Sequence, residues 1–246
     1  MLMKVLGSSS SGNCYIIEND SEALVIEAGV RFVEVKKALG FNIRKVSGCL
    51  ISHQHKDHAK YIKAFVDSGI TTLALEEVWV SSGVTGSRVC RIEPGRGYKL
   101  GRFKVLPFRA NHDVPCVGYL IEHPETGRIM FLTDSCACDY QFVGLNHIMI
   151  ECNYSMPRLI EAIAAGRTLA SQRERLMSSH MDLDTCKEYL GETNLDYVSD
   201  IVLLHLSENN SDERHFISEV ERQTGKIVYA ARPGLEIDFN NAIWQN

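Results

Sequence analysis

His53-Gln54-His55-Lys56-Asp57-His58 packs three imidazoles and a carboxylate into six residues, directly after the apolar run Gly48-Cys49-Leu50-Ile51-Ser52. The run reads as a buried strand, and Ala59 to Asp67 continues as a helix-like segment. A strand that turns into a helix leaves its last side chains in the crevice at the strand ends, where α/β proteins hold ligands. On an extended turn, side chains two apart share a face, so His53 and His55 point the same way. Asp57 and His58 open the next element and address a second point in space. One cation is poorly placed to take all four groups, whereas two adjacent cations can share them.

His-x-His-x-Asp-His after a strand resembles the signature of the metallo-β-lactamase fold, and the resemblance runs along nearly the whole chain. Asn111-His112-Asp113 is similar to the segment carrying the family's next ligand histidine. Phe131-Leu132-Thr133-Asp134 is similar to the strand that ends in the metal-bridging aspartate, and Leu204-His205-Leu206-Ser207-Glu208-Asn209-Asn210 to the segment of the last ligand histidine. The opening Gly7-Ser8-Ser9-Ser10-Ser11-Gly12-Asn13-Cys14-Tyr15, taken with that last segment, most resembles the bacterial and phage branch of YycJ/WalJ-type proteins. Members of that branch are regarded as DNA exonuclease-like phosphodiesterases.

The resemblance implies an α/β (α+β) chain folded as a four-layer αβ/βα sandwich, one domain over residues 1–246. It implies two divalent cations, with His53, His55 and His112 around one, Asp57, His58 and His205 around the other, and Asp134 between them. Imidazole and carboxylate donors without a thiolate suit Zn²⁺ or Mn²⁺, and also Fe²⁺. Asp57 and His180 are the expected catalytic groups, and Asn13, Ser207, Asn209 and Asn210 are expected to support the site or touch substrate. Two positions depart from the family. Glu27 stands where most members have the aspartate that orients a ligand histidine, a role its longer side chain can also fill. Asp182 stands two residues after His180, where related nucleases have Ser or Thr. Cys136 and Cys138 read as small packing residues beside the site, and His123, His147 and His215 as ordinary histidines.

Two metals about 3.5–4 Å apart, sharing a hydroxide, would supply a nucleophile near neutral pH for in-line attack on phosphorus. The expected activity is therefore that of a metal-dependent phosphodiesterase or nuclease, with DNA as the favoured substrate. The same chemistry attacks a thioester, lactone or β-lactam, and a phage-associated binding protein with a vestigial site is a third reading. DNA versus RNA, end polarity and oligomeric state stay open.

The net charge of −5 does not advertise a nucleic-acid binder, although two cations would add positive charge where phosphates sit. Arg158, Arg167, Arg173 and Arg175 enrich the stretch from Pro157 to Met177, which either borders the site or is a solvated helical face. The start lacks a cationic segment followed by a long apolar run, and no run is long enough to span a bilayer. Eight scattered cysteines suit reduced thiols and a cytoplasmic location.

Apolar alternation predicts strands at Lys4–Leu6, Cys14–Glu18, Ala23–Glu27, Gly48–Ser52, Thr71–Leu75, Arg88–Ile92, Phe103–Arg109, Val117–Glu122, Arg128–Thr133, His147–Glu151, Ile201–His205 and Ile227–Ala230. Helices are expected at Phe32–Leu39, Ala59–Asp67, Glu76–Ser81, Arg158–Ala165, Asp184–Leu190 and Asp212–Thr224, with Asp182 or Asp184 capping the fifth. This rhythm fits two sheets packed face to face with helices outside.

Overall fold

The structure is a computed structural model and describes residues 1–240. Along the first half run β1 (Leu2–Gly7), β2 (Cys14–Glu18), β3 (Ala23–Ile26), α1 (Phe32–Ala38), β4 (Val46–Leu50), α2 (Lys56–Ala59), α3 (Ile62–Asp67), β5 (Thr72–Ala74), α4 (Glu76–Ser82) and β6 (Val89–Arg91). Four strands follow directly: β7 (Tyr98–Leu100), β8 (Phe103–Ala110), β9 (Cys116–His123) and β10 (Gly127–Leu132). The remainder is β11 (Leu145–Glu151), α5 (Met156–Ala164), α6 (Arg173–Ser179), α7 (Leu183–Glu192), β12 (Asp200–Leu204), α8 (Glu213–Thr224), β13 (Ile227–Ala230) and β14 (Glu236–Asp238).

The strands form two seven-stranded sheets, ordered β14-β1-β2-β3-β4-β5-β6 and β13-β12-β11-β10-β9-β8-β7. Each sheet is antiparallel at one side and parallel at the other: β3 to β6 in the first, β10 to β13 in the second. Parallel strands need crossovers, and those crossovers put the helices on the outer faces. The pleat then divides each strand between two cores. Ile129 and Phe131 of β10 face the first sheet, where Tyr15 meets Phe131 edge-on at 5.5 Å. Met130 and Leu132 face the opposite way, towards Leu183, Leu190 and Phe216 of α7 and α8. Helix, sheet, sheet and helix make the four layers.

All twelve expected strands are present, most within one or two residues of their expected ends. The helix expected over Ala59–Asp67 differs. It starts at Lys56, so Asp57 and His58 sit on its first turn, and it breaks before restarting at Ile62. The break has a tertiary cause, because the Tyr61 N–H donates to the Ala28 carbonyl at 2.9 Å instead of continuing the helical ladder. Asp182 is the cap of α7: its carboxylate accepts from the N–H groups of Asp184 and Thr185. No described helix is long and apolar enough to cross a membrane, and all eight cysteines are unpaired.

Candidate metal centre

The parallel strands of both sheets end at one place, and the backbone there is held in an uncommon conformation. Among the described residues, four besides glycine have left-handed φ: Glu27 at 69°, Phe41 at 63°, Asp134 at 46° and His205 at 54°. Three of these lie just past the ends of β3, β10 and β12. Such backbone costs of the order of 1–3 kcal/mol per residue and persists where surrounding structure over-determines it.

Around Glu27 a close knot of main chains does so. The Asn13 N–H donates to the Asp57 carbonyl at 2.7 Å, the Gly29 N–H to the Asn13 carbonyl at 2.9 Å, and the Ala28 N–H to the His58 carbonyl at 2.7 Å. Gly29 is required by this approach, since a Cβ there would lie 1.7 Å from the Asp57 carbonyl oxygen. The polar opening segment thus locks the hexapeptide in place.

The hexapeptide divides as its spacing implies. The ring nitrogens of His53, His55 and His112 form one compact group, and Asp57, His58, Asp134 and His205 form another. Asp134 reaches both: its Oδ2 lies 3.8 Å from His53 Nε2, 3.9 Å from His112 Nε2 and 3.3 Å from His58 Nε2. The far sides of three rings face polar groups. Ser52 Oγ lies 2.9 Å from His53 Nδ1, the Ser179 carbonyl 2.8 Å from His112 Nδ1, and Glu27 Oε1 3.3 Å from His58 Nδ1. On the inner side, two atoms lack a hydrogen-bond partner. His53 Nε2 and His205 Nε2 are buried without a hydrogen-bond partner, which ordinarily costs about 1–3 kcal/mol each. Cations coordinated by these nitrogens would remove that cost, so the donor set fits two divalent metals.

Electrostatics agree. Burial, reinforced by the nearby His58, holds His53 well below the usual imidazole range, so it stands neutral with a free lone pair. Burial also lowers His112. Burial alone would lower His205 too, but Asp134, Asp57 and Glu151 push it up to about 10. Burial likewise opposes charge on His58, and Asp134 and Glu27 overcome it, so His58 stands well above the usual value. The carboxylates of Asp57 and Asp134 are held low by these same histidines against the opposing effect of burial. A cluster that attracts protons this strongly attracts divalent cations by the same field, and metal binding would displace those protons.

Glu27 is fully buried, with Ser52 N–H 3.3 Å from each carboxylate oxygen as well as His58 alongside. It therefore sits behind the centre and holds a ring. Glu27→Gln is expected to keep the fold and weaken metal retention roughly 10–100-fold, as read by competition with a chelator. Unchanged retention would show that Glu27 does not orient His58.

His180 lies on the open side. Its ring stacks on His205 at 5.5 Å, and its Nδ1 lies 2.7 Å from Glu151 Oε1. Burial opposes charge on His180, yet Glu151 raises it above the ordinary value. Glu151 itself accepts from the N–H groups of Ser135 and Met181. Sequence reasoning missed Glu151, whose only signal is an acid ending the apolar run of β11. It also missed Asn153, which donates from Nδ2 to the His205 carbonyl at 2.7 Å. Cys136 and Cys138 take no part in either nitrogen-rich group, and His123 and His147 pair with Glu22 and Asp200 elsewhere.

Above the centre opens a cavity of about 520 Å³ lined by Lys56, Arg167, Arg175, His180, Ser207 and Asn209 among others. Asn210 is buried in its wall, accepting from Thr168 Oγ1 at 2.8 Å. Asn13 lies deeper, with Nδ2 3.0 Å from His58 Nε2. The arginine-bearing stretch after β11 therefore borders the site, through α6 and the turn before it. Arg175 reaches Asp113, whose Oδ1 is 3.1 Å from His112 Nε2.

The sequence pattern of the Metallo-beta-lactamase superfamily matches residues 9–128. The chain is 24% identical over 239 residues to the exodeoxyribonuclease YycJ of Bacillus anthracis, covering 90% of this chain and 89% of that protein. It is 23% identical over 253 residues to the exodeoxyribonuclease WalJ of Streptococcus pneumoniae serotype 2, covering 96% and 91%. In three dimensions it is similar to the metallo-β-lactamase fold protein YhfI of Bacillus subtilis, with a TM-score of 0.73 at 14% identity, over 96% of this chain and 99% of that one.

Proposed function

Because the chain is a metallo-β-lactamase superfamily protein of the YycJ/WalJ-like kind, we propose that it is a dinuclear metal-dependent phosphodiesterase, a DNA exonuclease-like nuclease. The observation that carries this reading is the His180–Glu151 pair beside the centre, at the floor of a cavity rich in cationic and amide donors. A phosphodiester arrives as an anion and leaves as an alkoxide that needs a proton. Lys56, Arg167 and Arg175 suit the first requirement, since charge-assisted bonds to phosphate oxygens are the stronger kind. Protonated His180, held by Glu151, suits the second.

His53, His55 and His112 would hold one metal and Asp57, His58 and His205 the other, with Asp134 shared. Zn²⁺, Mn²⁺ and Fe²⁺ all match these donors. A pair of such ions held there would supply activated water near neutral pH and offset charge on the phosphoryl oxygens. The chain's own residues do the rest. Asp134 fixes the spacing of the two nitrogen groups, Glu27 orients His58, and Asp57 orients the open face shared with His205. Ser207, Asn209 and Asn210 shape the wall against which the substrate rests. The unpaired cysteines fit a cytoplasmic setting.

A panel of substrates tests the reading. The metal-replete protein is expected to hydrolyse bis-p-nitrophenyl phosphate and single-stranded DNA, and to leave thioester, lactone and β-lactam substrates largely intact. Preference for a carbonyl substrate would replace the reading with carboxylic hydrolysis. Absence of turnover on every member, with both metals bound, would favour a binding protein.

A further inference from the structure

Three grooves converge on His55 and His112, and their charges differ sharply. The groove beyond His112, about 590 Å³, is lined by Glu76, Glu77, Glu93 and Asp113 against the single cation Arg109. The groove beyond His55, about 770 Å³, is lined by Lys56, Lys60 and Lys63 and by no carboxylate. Its floor is apolar, made by Ala59, Ile62 and Val84, with the hydroxyl residues Ser81 and Ser82 at the α4 side. His55 and Lys56 line both this groove and the cavity over the metal centre, so the two adjoin.

The three lysines lie on either side of the break between α2 and α3 and all line this one groove. Their charges are available. Among the described residues Lys56 has no carboxylate partner, and Lys60 lies over the Tyr61 ring at 5.3 Å. Among the described residues Lys63 pairs only with Asp67, and that pair is exposed, so it competes weakly with a ligand anion. On a chain with a net charge of −5, this is a local cationic track beside an acidic wall.

We propose that the lysine groove is the track for single-stranded DNA leading into the centre. The phosphates lie along Lys56, Lys60 and Lys63, and the sugars and base faces lie on the apolar floor. An unpaired strand exposes apolar base faces that a duplex buries, which is what such a floor accepts. The acidic groove past His112 repels the continuing backbone, so the strand approaches from the His55 side only. This inference rests on the phosphodiesterase reading and adds a direction and a strand type to it.

The test compares Lys60→Glu/Lys63→Glu with the unaltered protein on short single-stranded oligothymidylate and on bis-p-nitrophenyl phosphate, across a range of salt concentrations. The expected result is a fall of roughly tenfold in kcat/KM for the oligonucleotide relative to the small ester, mainly through KM. The salt dependence of oligonucleotide binding is expected to flatten by about 0.7 in log–log slope per lysine. Lys60→Gln/Lys63→Gln, which removes charge without reversing it, should show the same trend at smaller size. An unchanged ratio and slope, with the unaltered protein cleaving both substrates, overturns the track and leaves the phosphodiesterase reading standing. An equal loss on both substrates also overturns it, assigning the lysines to the integrity of the centre. Failure of the unaltered protein to cleave either substrate overturns the phosphodiesterase reading itself.

Discussion

Asp134→Asn is expected to reduce metal content from two ions per chain to at most one and to lower phosphodiester turnover by on the order of 10³-fold, the scale on which one centre of charge stabilisation acts. The reason is geometric. A single oxygen, Oδ2, lies within 3.9 Å of nitrogens from both histidine groups. Asparagine keeps the shape but offers one oxygen and no charge, so it cannot neutralise two cations held close together. His55→Ala is the companion variant, because His55 belongs to one nitrogen group only. It should empty one position and leave the other occupied. Elemental analysis of the purified proteins decides the matter, and unchanged occupancy in His55→Ala would show that the ligand assignment is wrong. Thermal unfolding should agree: added metal raises the melting temperature of the parent more than that of either variant, since a ligand stabilises only the state that binds it.

The second large effect belongs to His180. His180→Ala should retain both metals and lose about 10²–10⁴-fold in kcat, the usual contribution of a positioned general acid. Folding should survive, because Glu151 still accepts from Ser135 N–H and Met181 N–H once the ring is gone. His180→Gln restores a donor towards Glu151 and should fold equally well without regaining rate. The pH profile separates an acid from a mere structural ring. A general acid works while protonated, so the rate should fall as pH rises through the His180 pKa. That pKa lies above the ordinary histidine value because Glu151 overcomes the opposing effect of burial. Glu151→Gln removes the carboxylate, so the alkaline limb should move down towards the unperturbed value of about 6.5. A limb that stays in place would remove His180 from the role. His205→Ala should behave differently, losing metal and activity together. If His180→Ala shed a metal while His205→Ala kept both, the two roles would be exchanged.

Much of this centre was legible in the sequence because its chemistry is concentrated. Four ionisable groups in six residues after a strand leave few structural alternatives, and Asp134 and His205 each close an apolar run, while His112 follows the polar Asn111 just past β8. The parts that escaped are those whose local pattern is unremarkable. Glu151 looks like any polar residue closing a strand, and only the folded chain brings it 2.7 Å from His180. The α6 helix has no apolar stripe, since Leu176 and Met177 are its only large apolar residues, so periodicity gave no sign of it. The strands β7 and β14 are three residues long and depend on their partners, β7 on the neighbouring β8 and β14 on β1 at the other end of the chain. The break between α2 and α3 is tertiary as well, made by the carbonyl of Ala28. Local propensity cannot register a hydrogen bond formed across thirty residues of chain.

The left-handed backbone at Glu27, Asp134 and His205 has a consequence for how such a chain drifts under mutation. At most buried positions glycine is a loss, because it gives up packing and frees the unfolded chain. At these three it would also relieve a conformation that side chains with a Cβ adopt only at a cost. Selection for catalysis and selection for a durable fold therefore pull in opposite directions at the same three codons. A lineage that no longer needed the reaction would be free to relax there first, and glycine or asparagine at these strand ends would mark its retirement while the rest of the sandwich stayed intact.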